Sequence, residues 1–372
     1  MATRQRAPAC PGQSVDAIDT PALVLDLDRF ERNLSRLHER ANTLGVRVRS
    51  HAKAHKCVEI ARRQIAAGAV GLCVQKLAEA EVFVAAGFKD VLLTNQIASI
   101  AKAQRLAALT EHARIGVCVD APEHIELLAR AMAGRPTTLE VLIEIDVGMG
   151  RCGVHTVEAA LELARMIADR DGLSLRGLQA YHGKAQHLRL PAQRRDAIGK
   201  AADIAASMQR ELEAQGHSSL EITGAGTGTW LLEARSGVYT EIQPGSYVLM
   251  DADYGANEGA PDEPAFEQAL AVRCALISRH GRTLVLDGGL KSFAVDSGLP
   301  VPEITGWRCV GVSDEHALVE VPADTVLPPL GSLVSMVPGH CDPTVNLHEW
   351  IVAYRGETVE AVWPVDARGA VF

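Results

Sequence analysis

The chain has 372 residues, 47% of them hydrophobic, and a formal net charge of −9. That length and apolar content suffice for one large core and a smaller second one. The acidic balance and the lack of a basic stripe interleaved with aromatics argue against a nucleic-acid partner. Apolar runs of six to nine residues are too short for a membrane span.

Residues 1–14 include Arg4 and Arg6 but no apolar stretch. They are expected to form a short disordered lead with no secretion signal. From residue 22 to about 251 one pattern recurs: a short β-branched apolar run, then an Ala/Leu/Arg/Glu-rich stretch of helical period. Strands are expected at 22–27, 46–50, 70–75, 91–95, 115–120, 141–146, 175–181, 220–223 and 241–248. Helices such as 58–67, 77–86, 123–132 and 157–167 separate them. Such alternation implies parallel strands joined by crossover helices. Eight units of this length match a (β/α)8 TIM barrel, which leaves one strand surplus.

After Asp251 the helical runs give way to Val/Leu-rich strands punctuated by Gly, Pro and Asp, among them 269–277, 283–287, 317–321, 333–337, 351–354 and 360–363. This texture predicts a second, mainly antiparallel β domain, with the boundary near 257–264. None of the eight cysteines forms a Cys-x-x-Cys pair, so a zinc ribbon or thioredoxin-type motif is not supported. Cys73 and Cys118 read as small core residues. A reducing, cytoplasmic compartment fits this usage.

The chemistry-bearing residues fall at predicted strand ends, where barrels of this class place their active sites. Lys53, in His51-Ala52-Lys53-Ala54-His55-Lys56, directly follows the strand 46–50. Desolvation there would lower its pKa and free the amine for Schiff-base chemistry. Gln75, Asn95, Asp146 with Arg151 in the loop after it, Tyr181-His182-Gly183 and His187 are expected to converge on the same rim. The run Gly224-Ala225-Gly226-Thr227-Gly228-Thr229 can bring backbone N–H groups and a hydroxyl to an anion. If 46–50 is the first barrel strand, this loop follows the seventh, and Gly245-Ser246 lies in the eighth. Those are the usual phosphate positions. A Schiff-base lysine with a phosphate cradle points to pyridoxal phosphate. In His340-Cys341-Asp342, an extended backbone would project His340 and Asp342 together and turn Cys341 away. That pair suits a divalent metal of N/O character.

Together these residues resemble the alanine racemase-like pyridoxal-phosphate enzymes, in the branch of D-threonine aldolase, 3-hydroxy-D-aspartate aldolase and D-serine dehydratase. The pieces that carry the resemblance include the Lys53 motif, 146–153, Gln179-Ala180-Tyr181-His182-Gly183, 224–228, Gly245-Ser246-Tyr247, 250–255, Asp314-Glu315-His316 and 338–344. It covers nearly the whole chain. It implies that strand 22–27 belongs to the β domain, giving a barrel over 28–256 and a β domain of 1–27 plus 257–372.

By position, the resemblance also implies that Lys53 bonds the cofactor, and that Arg151 donates to its phenolic oxygen. Tyr181 would face the pyridine nitrogen, with Gln75 as a further cofactor contact. Gly226, Thr227, Gly228, Gly245 and Ser246 would hold the phosphate. His340 and Asp342 match metal ligands, with manganese, magnesium or cobalt suiting the carboxylate better than zinc. Racemases of this group have an arginine where Gln243 stands and lack the metal pair, so racemisation is disfavoured. The expected activity is cleavage of D-3-hydroxy amino acids to glycine and an aldehyde, with His187 as the base for the hydroxyl proton. The alternatives are β-elimination of the D-serine dehydratase kind and a non-catalytic pyridoxal-phosphate carrier. A homodimer is expected, because the β domain of one subunit would have to cover the other's barrel mouth.

Overall fold

The computed structural model describes residues 5–372. Eight parallel strands close into a barrel: Arg47–His51, Gly71–Val74, Asp90–Leu93, Arg114–Val119, Leu139–Glu144, Leu173–Ala180, Glu221–Gly224 and Glu241–Ile242. Arg47 pairs with Glu241 across the closing seam. The apolar runs are buried on both faces, as a parallel sheet wrapped by helices requires. The intervening helices start where side chains accept orphan N–H groups: Ser99 from Lys102, and Thr156 from Ala159.

The eighth strand is much shorter than the predicted 241–248. Pro244 has no N–H for a ladder, and Ser246–Val248 turns into a 3-10 helix beside the mouth.

Ala22–Asp26 stands outside the barrel. It lies between Leu270–His280, antiparallel, and Trp350–Arg355, parallel, in a nine-stranded sheet. All other pairings in this sheet are antiparallel. Asp26 then caps the helix Leu27–Thr43 by accepting from the N–H of Arg29. Phe30, Leu34, Leu37 and Ala41 of that helix face the core shared by sheet and barrel. The predicted disordered lead is corrected from residue 5 onward; Met1–Arg4 lie outside the described residues. Gln5 bonds Glu349 and Trp350, Gly12 bonds Val359, and Ala9 is buried against the sheet.

Inside the barrel Cys73, Leu92, Cys118 and Leu142 form an apolar plug, as expected for Cys73 and Cys118. Toward the N-terminal end of the strands the filling becomes ionic. Arg49, 1% exposed, is held by Glu241 at 2.8 Å and Asp90 at 2.6 Å. Arg176 reaches Glu221, Glu140 and Glu241. Gly71 is required here: a Cβ would lie 2.3 Å from the Arg49 guanidinium and 2.7 Å from a backbone carbonyl. These pairs hold the strands in register with the charges satisfied, and removing one partner would leave a buried charge. The active-site end is thereby built on a closed floor.

Two fully packed histidines make stability pH-dependent. His38 Nε2 lies 3.1 Å from the Tyr247 hydroxyl, and His55 Nε2 lies 3.1 Å from Gln64. Burial pushes both pKa values down to about 4. The unfolded imidazoles protonate near pH 6.5, so between pH 6.5 and 4 the unfolded chain binds more protons. The stability is fully present above pH 6.5 and is lost as pH falls toward 4. The unfolding free energy from urea titration should drop on going from pH 7.5 to 5, by about 2 kcal/mol for each histidine, and the midpoints with it. Midpoints that stay constant over that range would contradict neutral burial of these rings.

Candidate active site

The strand Arg47–His51 runs into a 3-10 turn, Ala52–Ala54, which carries Lys53 to the C-terminal mouth of the barrel. There it enters a cavity of about 380 Å³. The lining includes His51, Gln75, Thr94, Arg151, Gln179, Tyr181, Lys184, His187, Gly226, Thr227, Gln243, Gly245, Ser246 and Tyr254. Every predicted cofactor residue except Gly228 is on that wall. Arg151 and Lys184 give that wall positive charge, and the Asp342 carboxylate stands just behind Lys53 and Ser246.

The electrostatics of Lys53 differ from the expectation. Its Nζ donates to Asp342 Oδ2 at 2.8 Å. The carboxylate's charge outweighs burial and holds the ammonium above its ordinary pKa. Burial works to raise the Asp342 pKa in turn, but Lys53 and then His340 outweigh it and keep the carboxylate well below its usual range. In this state Lys53 is a paired ammonium, and desolvation alone does not free the amine. Lys56 is spoken for elsewhere, buried against Glu79 at 3.2 Å and Asn346 at 3.0 Å.

The loop at 224–228 fits a phosphate. Thr227 Oγ1 is buried without a hydrogen-bond partner, a donor left open for a ligand oxygen. At Gly226 a Cβ would meet Gln186 at 2.6 Å, and at Gly245 it would meet the His51 carbonyl at 2.8 Å. Both glycines therefore let the loop backbone pack closer to Gln186 and to the His51 carbonyl than any side chain would allow. Two predicted contacts are engaged otherwise. The Gly228 N–H donates to Gln186 Oε1 at 3.0 Å, and Ser246 Oγ donates to Asp342 Oδ1 at 3.0 Å.

The cavity floor is neutral. Gln243 Nε2 donates to Gln179 and to Thr223, each at 2.8 Å. The Arg151 guanidinium sits 5.8 Å from the Tyr181 ring centre, with Glu144 at 3.8 Å. Gln75, Thr94 and His51 form a second polar group on the wall: Thr94 Oγ1 lies 3.2 Å from both Gln75 Oε1 and His51 Nε2. Burial drives the His51 pKa down to about 3, so this ring is neutral.

At the metal motif, the extended backbone assumed from sequence is corrected. His340 is the N-cap of a helix, Cys341–Leu347, and the backbone turns immediately after it. Cys341 is fully buried, yet its Sγ comes back to Asp342 Oδ1 at 3.3 Å. His340 Nδ1 lies 2.7 Å from Asp296 Oδ2. A carboxylate on Nδ1 orients the ring and leaves Nε2 for a ligand, the usual support of a metal-binding histidine. One imidazole and one carboxylate fit a divalent cation whose remaining positions go to solvent or substrate. Among the described residues there is no cluster of three or more such side chains.

Several rim candidates play other parts. Asp146 accepts from the N–H groups of Gly148 and Gly150 and so shapes the loop that presents Arg151. Asn95 bonds the Gln75 carbonyl from outside the chamber. Asp314-Glu315-His316 is an exposed loop. Sequence reasoning named His51 only as a neighbour of Lys53, and it missed Thr94 and Gln179 on the wall, Gln186 behind the loop and Asp296 behind His340. Gln179 lay inside a quoted motif; nothing in the sequence placed Asp296 near His340.

A family model described as the alanine racemase N-terminal domain matches residues 25–253, more than half of the chain. The chain belongs to the alanine racemase-like family. A serine dehydratase domain model matches residues 269–354, so both parts of this family member are accounted for. It is 44% identical to a D-threonine aldolase of Arthrobacter sp, over 97% of this chain and 96% of the relative. It is 42% identical to a 3-hydroxy-D-aspartate aldolase of Paracoccus denitrificans, over 97% and 95%. The crystal structure of D-threonine aldolase from Filomicrobium marinum matches with a TM-score of 0.96 at 45% identity, covering 98% of this chain and 100% of that one. The barrel plus mainly antiparallel sheet is thus the fold of the family, and pyridoxal phosphate is the cofactor to which this family's fold is suited.

Proposed function

We propose that this chain is a carbon–carbon lyase, dependent on pyridoxal phosphate and a divalent metal, that cleaves D-3-hydroxy amino acids to glycine and an aldehyde. The observation that carries the reading is the meeting of Lys53 and Asp342. A residue of the β domain, two positions from His340, stands against the amine at the barrel mouth. Pairing of a cofactor lysine with a metal-binding carboxylate suits chemistry on a substrate hydroxyl. The similarity to two aldolases over nearly the whole chain supports the same reading.

Pyridoxal phosphate supplies a sink for electrons released when a bond to Cα breaks. A divalent metal at His340 and Asp342 supplies a Lewis acid for the β-hydroxyl, and the hard carboxylate favours manganese, magnesium or cobalt over zinc. The chain's own groups do the rest. Gly226, Thr227 and Gly245 shape the phosphate cradle, and Arg151 offers its charge to an oxygen of the ring. His187 Nε2 accepts the hydroxyl proton as the Cα–Cβ bond opens. Lys53 Nζ returns a proton to Cα, which completes glycine. The neutral Gln179–Gln243–Thr223 floor presents no cation to the far side of the chamber.

The experiment is to incubate holoenzyme with D-threonine and D-phenylserine and measure glycine and ammonia separately. Glycine and aldehyde in equal amounts are expected. Ammonia and a keto acid without glycine would replace this reading with elimination.

The assembly proposed is a homodimer, although the reason given from sequence is corrected. Asp342 reaches Lys53 within one chain, so no partner is needed to bring it there. The support is instead the exposure of the apolar side chains Leu290, Leu299, Val301 and Ile304 on the β domain. Sedimentation at micromolar concentration should show a dimer; a fully active monomer would overturn this. The eight unpaired cysteines, six of them buried, support a cytoplasmic location. No helix among the described residues is long and apolar enough to cross a membrane.

A further inference from the structure

His187 does not stand alone at the rim. It ends the 3-10 helix Gly183–His187, and its Nδ1 lies 2.5 Å from Asp253 Oδ2. Asp253 is in the short helix Ala252–Gly255, whose N-cap Asp251 accepts from the Tyr254 N–H. The N–H of Asp253 bonds the Gly339 carbonyl, just before His340. The other carboxylate oxygen, Oδ1, is taken by Arg189 Nη2. Arg189 is anchored in turn, with Nη1 donating to the Asp253 carbonyl at 2.6 Å and to Asn257 Oδ1 at 2.7 Å. The Tyr254 ring lies 5.6 Å from the imidazole, tilted 30°. Among the described residues His187 Nε2 has no partner, and the residue lines the cavity.

An ionised carboxylate can only accept. Burial works to raise the Asp253 pKa, but hydrogen bonds from Arg189 and His187 outweigh it and keep the group charged. Nδ1 must therefore carry a proton, and in the neutral ring the lone pair then sits on Nε2. This is the orientation a general base needs.

We propose that Asp253 is a positioning residue that fixes the ring and tautomer of His187, so that Nε2 meets the substrate hydroxyl as a proton acceptor. The inference rests on the assignment of His187 as the base. Its geometry allows a test that a structural role would fail. In Asp253→Asn, Arg189 still demands an acceptor and draws the amide oxygen. The amide NH2 then faces Nδ1, donates to it and forces the proton onto Nε2, which can no longer accept. Asp253→Ala instead leaves the ring loose but free to choose either tautomer.

The expected result for Asp253→Asn is a kcat lowered about a hundredfold or more, with KM within about threefold, since the lost step belongs to the transition state. Asp253→Ala should lose less activity than Asp253→Asn, yet melt at a lower temperature, because only the alanine variant gives up the side-chain contact with Arg189. Nitrogen NMR of histidine-labelled holoenzyme should show the proton moving from Nδ1 to Nε2 of His187 in Asp253→Asn. An unchanged tautomer in Asp253→Asn, or an alanine variant less active than the asparagine one, would overturn the proposal. His187→Ala is run alongside. If that variant keeps full activity, the assignment of the base fails, and the NMR result still decides the positioning role separately.

Discussion

Lys53→Ala will leave a folded protein that no longer bonds pyridoxal phosphate covalently. The long-wavelength absorbance of a lysine-bound pyridoxal should vanish, and borohydride should fix no label to the chain. Turnover should fall on the order of a thousandfold or more, since the covalent step and the proton returned to Cα are both lost. The alternative amine is poorly placed, because Lys56 is buried between Glu79 and Asn346. The variant strands the Asp342 carboxylate without its partner, so some loss of stability is expected as well. Lys53→Arg separates the two effects: it keeps a cation against Asp342 but has no amine for the bond. Borohydride labelling that persists in Lys53→Ala would show that the wrong lysine has been assigned.

Chelation of the divalent metal should abolish cleavage while the cofactor absorbance remains. A Lewis acid at the hydroxyl is worth several kcal/mol, so the loss should be on the order of a thousandfold and reversible on adding metal back. Asp342→Ala should lose bound metal and activity together. Cys341→Ala removes a buried thiol and should cost about 1 kcal/mol of stability while keeping metal dependence. Full activity of metal-free Asp342→Ala would remove the metal from the reading.

Much of the barrel was readable because each strand and helix announces itself locally. Apolar runs such as those around Cys73 and Cys118 are buried on both faces, and caps at Ser99 and Thr156 mark helix starts. The eighth strand was over-extended because apolar content continues past Pro244 while the hydrogen-bond donors do not. Lys53 and the glycine loop were legible from their place after a strand. The protonation of Lys53 was not. It depends on Asp342, a residue of the other domain, and no local pattern reports a charge that arrives by tertiary packing. The same reason hid Asp296 behind His340 and Gln186 behind the loop. At Cys341 the period-two argument failed because Asp342-Pro343 begins a helix, and proline suits the first turn of one. The reading of His340 and Asp342 as a pair had rested on that geometry, whereas in the structure Asp296 orients His340 while Lys53 and Ser246 hold the Asp342 carboxylate.

The strand Ala22–Asp26 has a consequence for the order in which a nascent chain becomes an enzyme. Val24 pairs on one side with Ala271 and on the other with Val352. The barrel is thus an insertion within a sheet whose first strand is made before it and whose neighbours are made after it. Contacts this distant in sequence are slow to form. As the ribosome releases residues in order, the barrel can close while Val24 still waits for both partners. The amine of Lys53 then faces solvent until the segment bearing Asp342 emerges. Synthesis that stops before Trp350–Arg355 would leave one edge of the first strand bare, an invitation to pair with another unfinished chain.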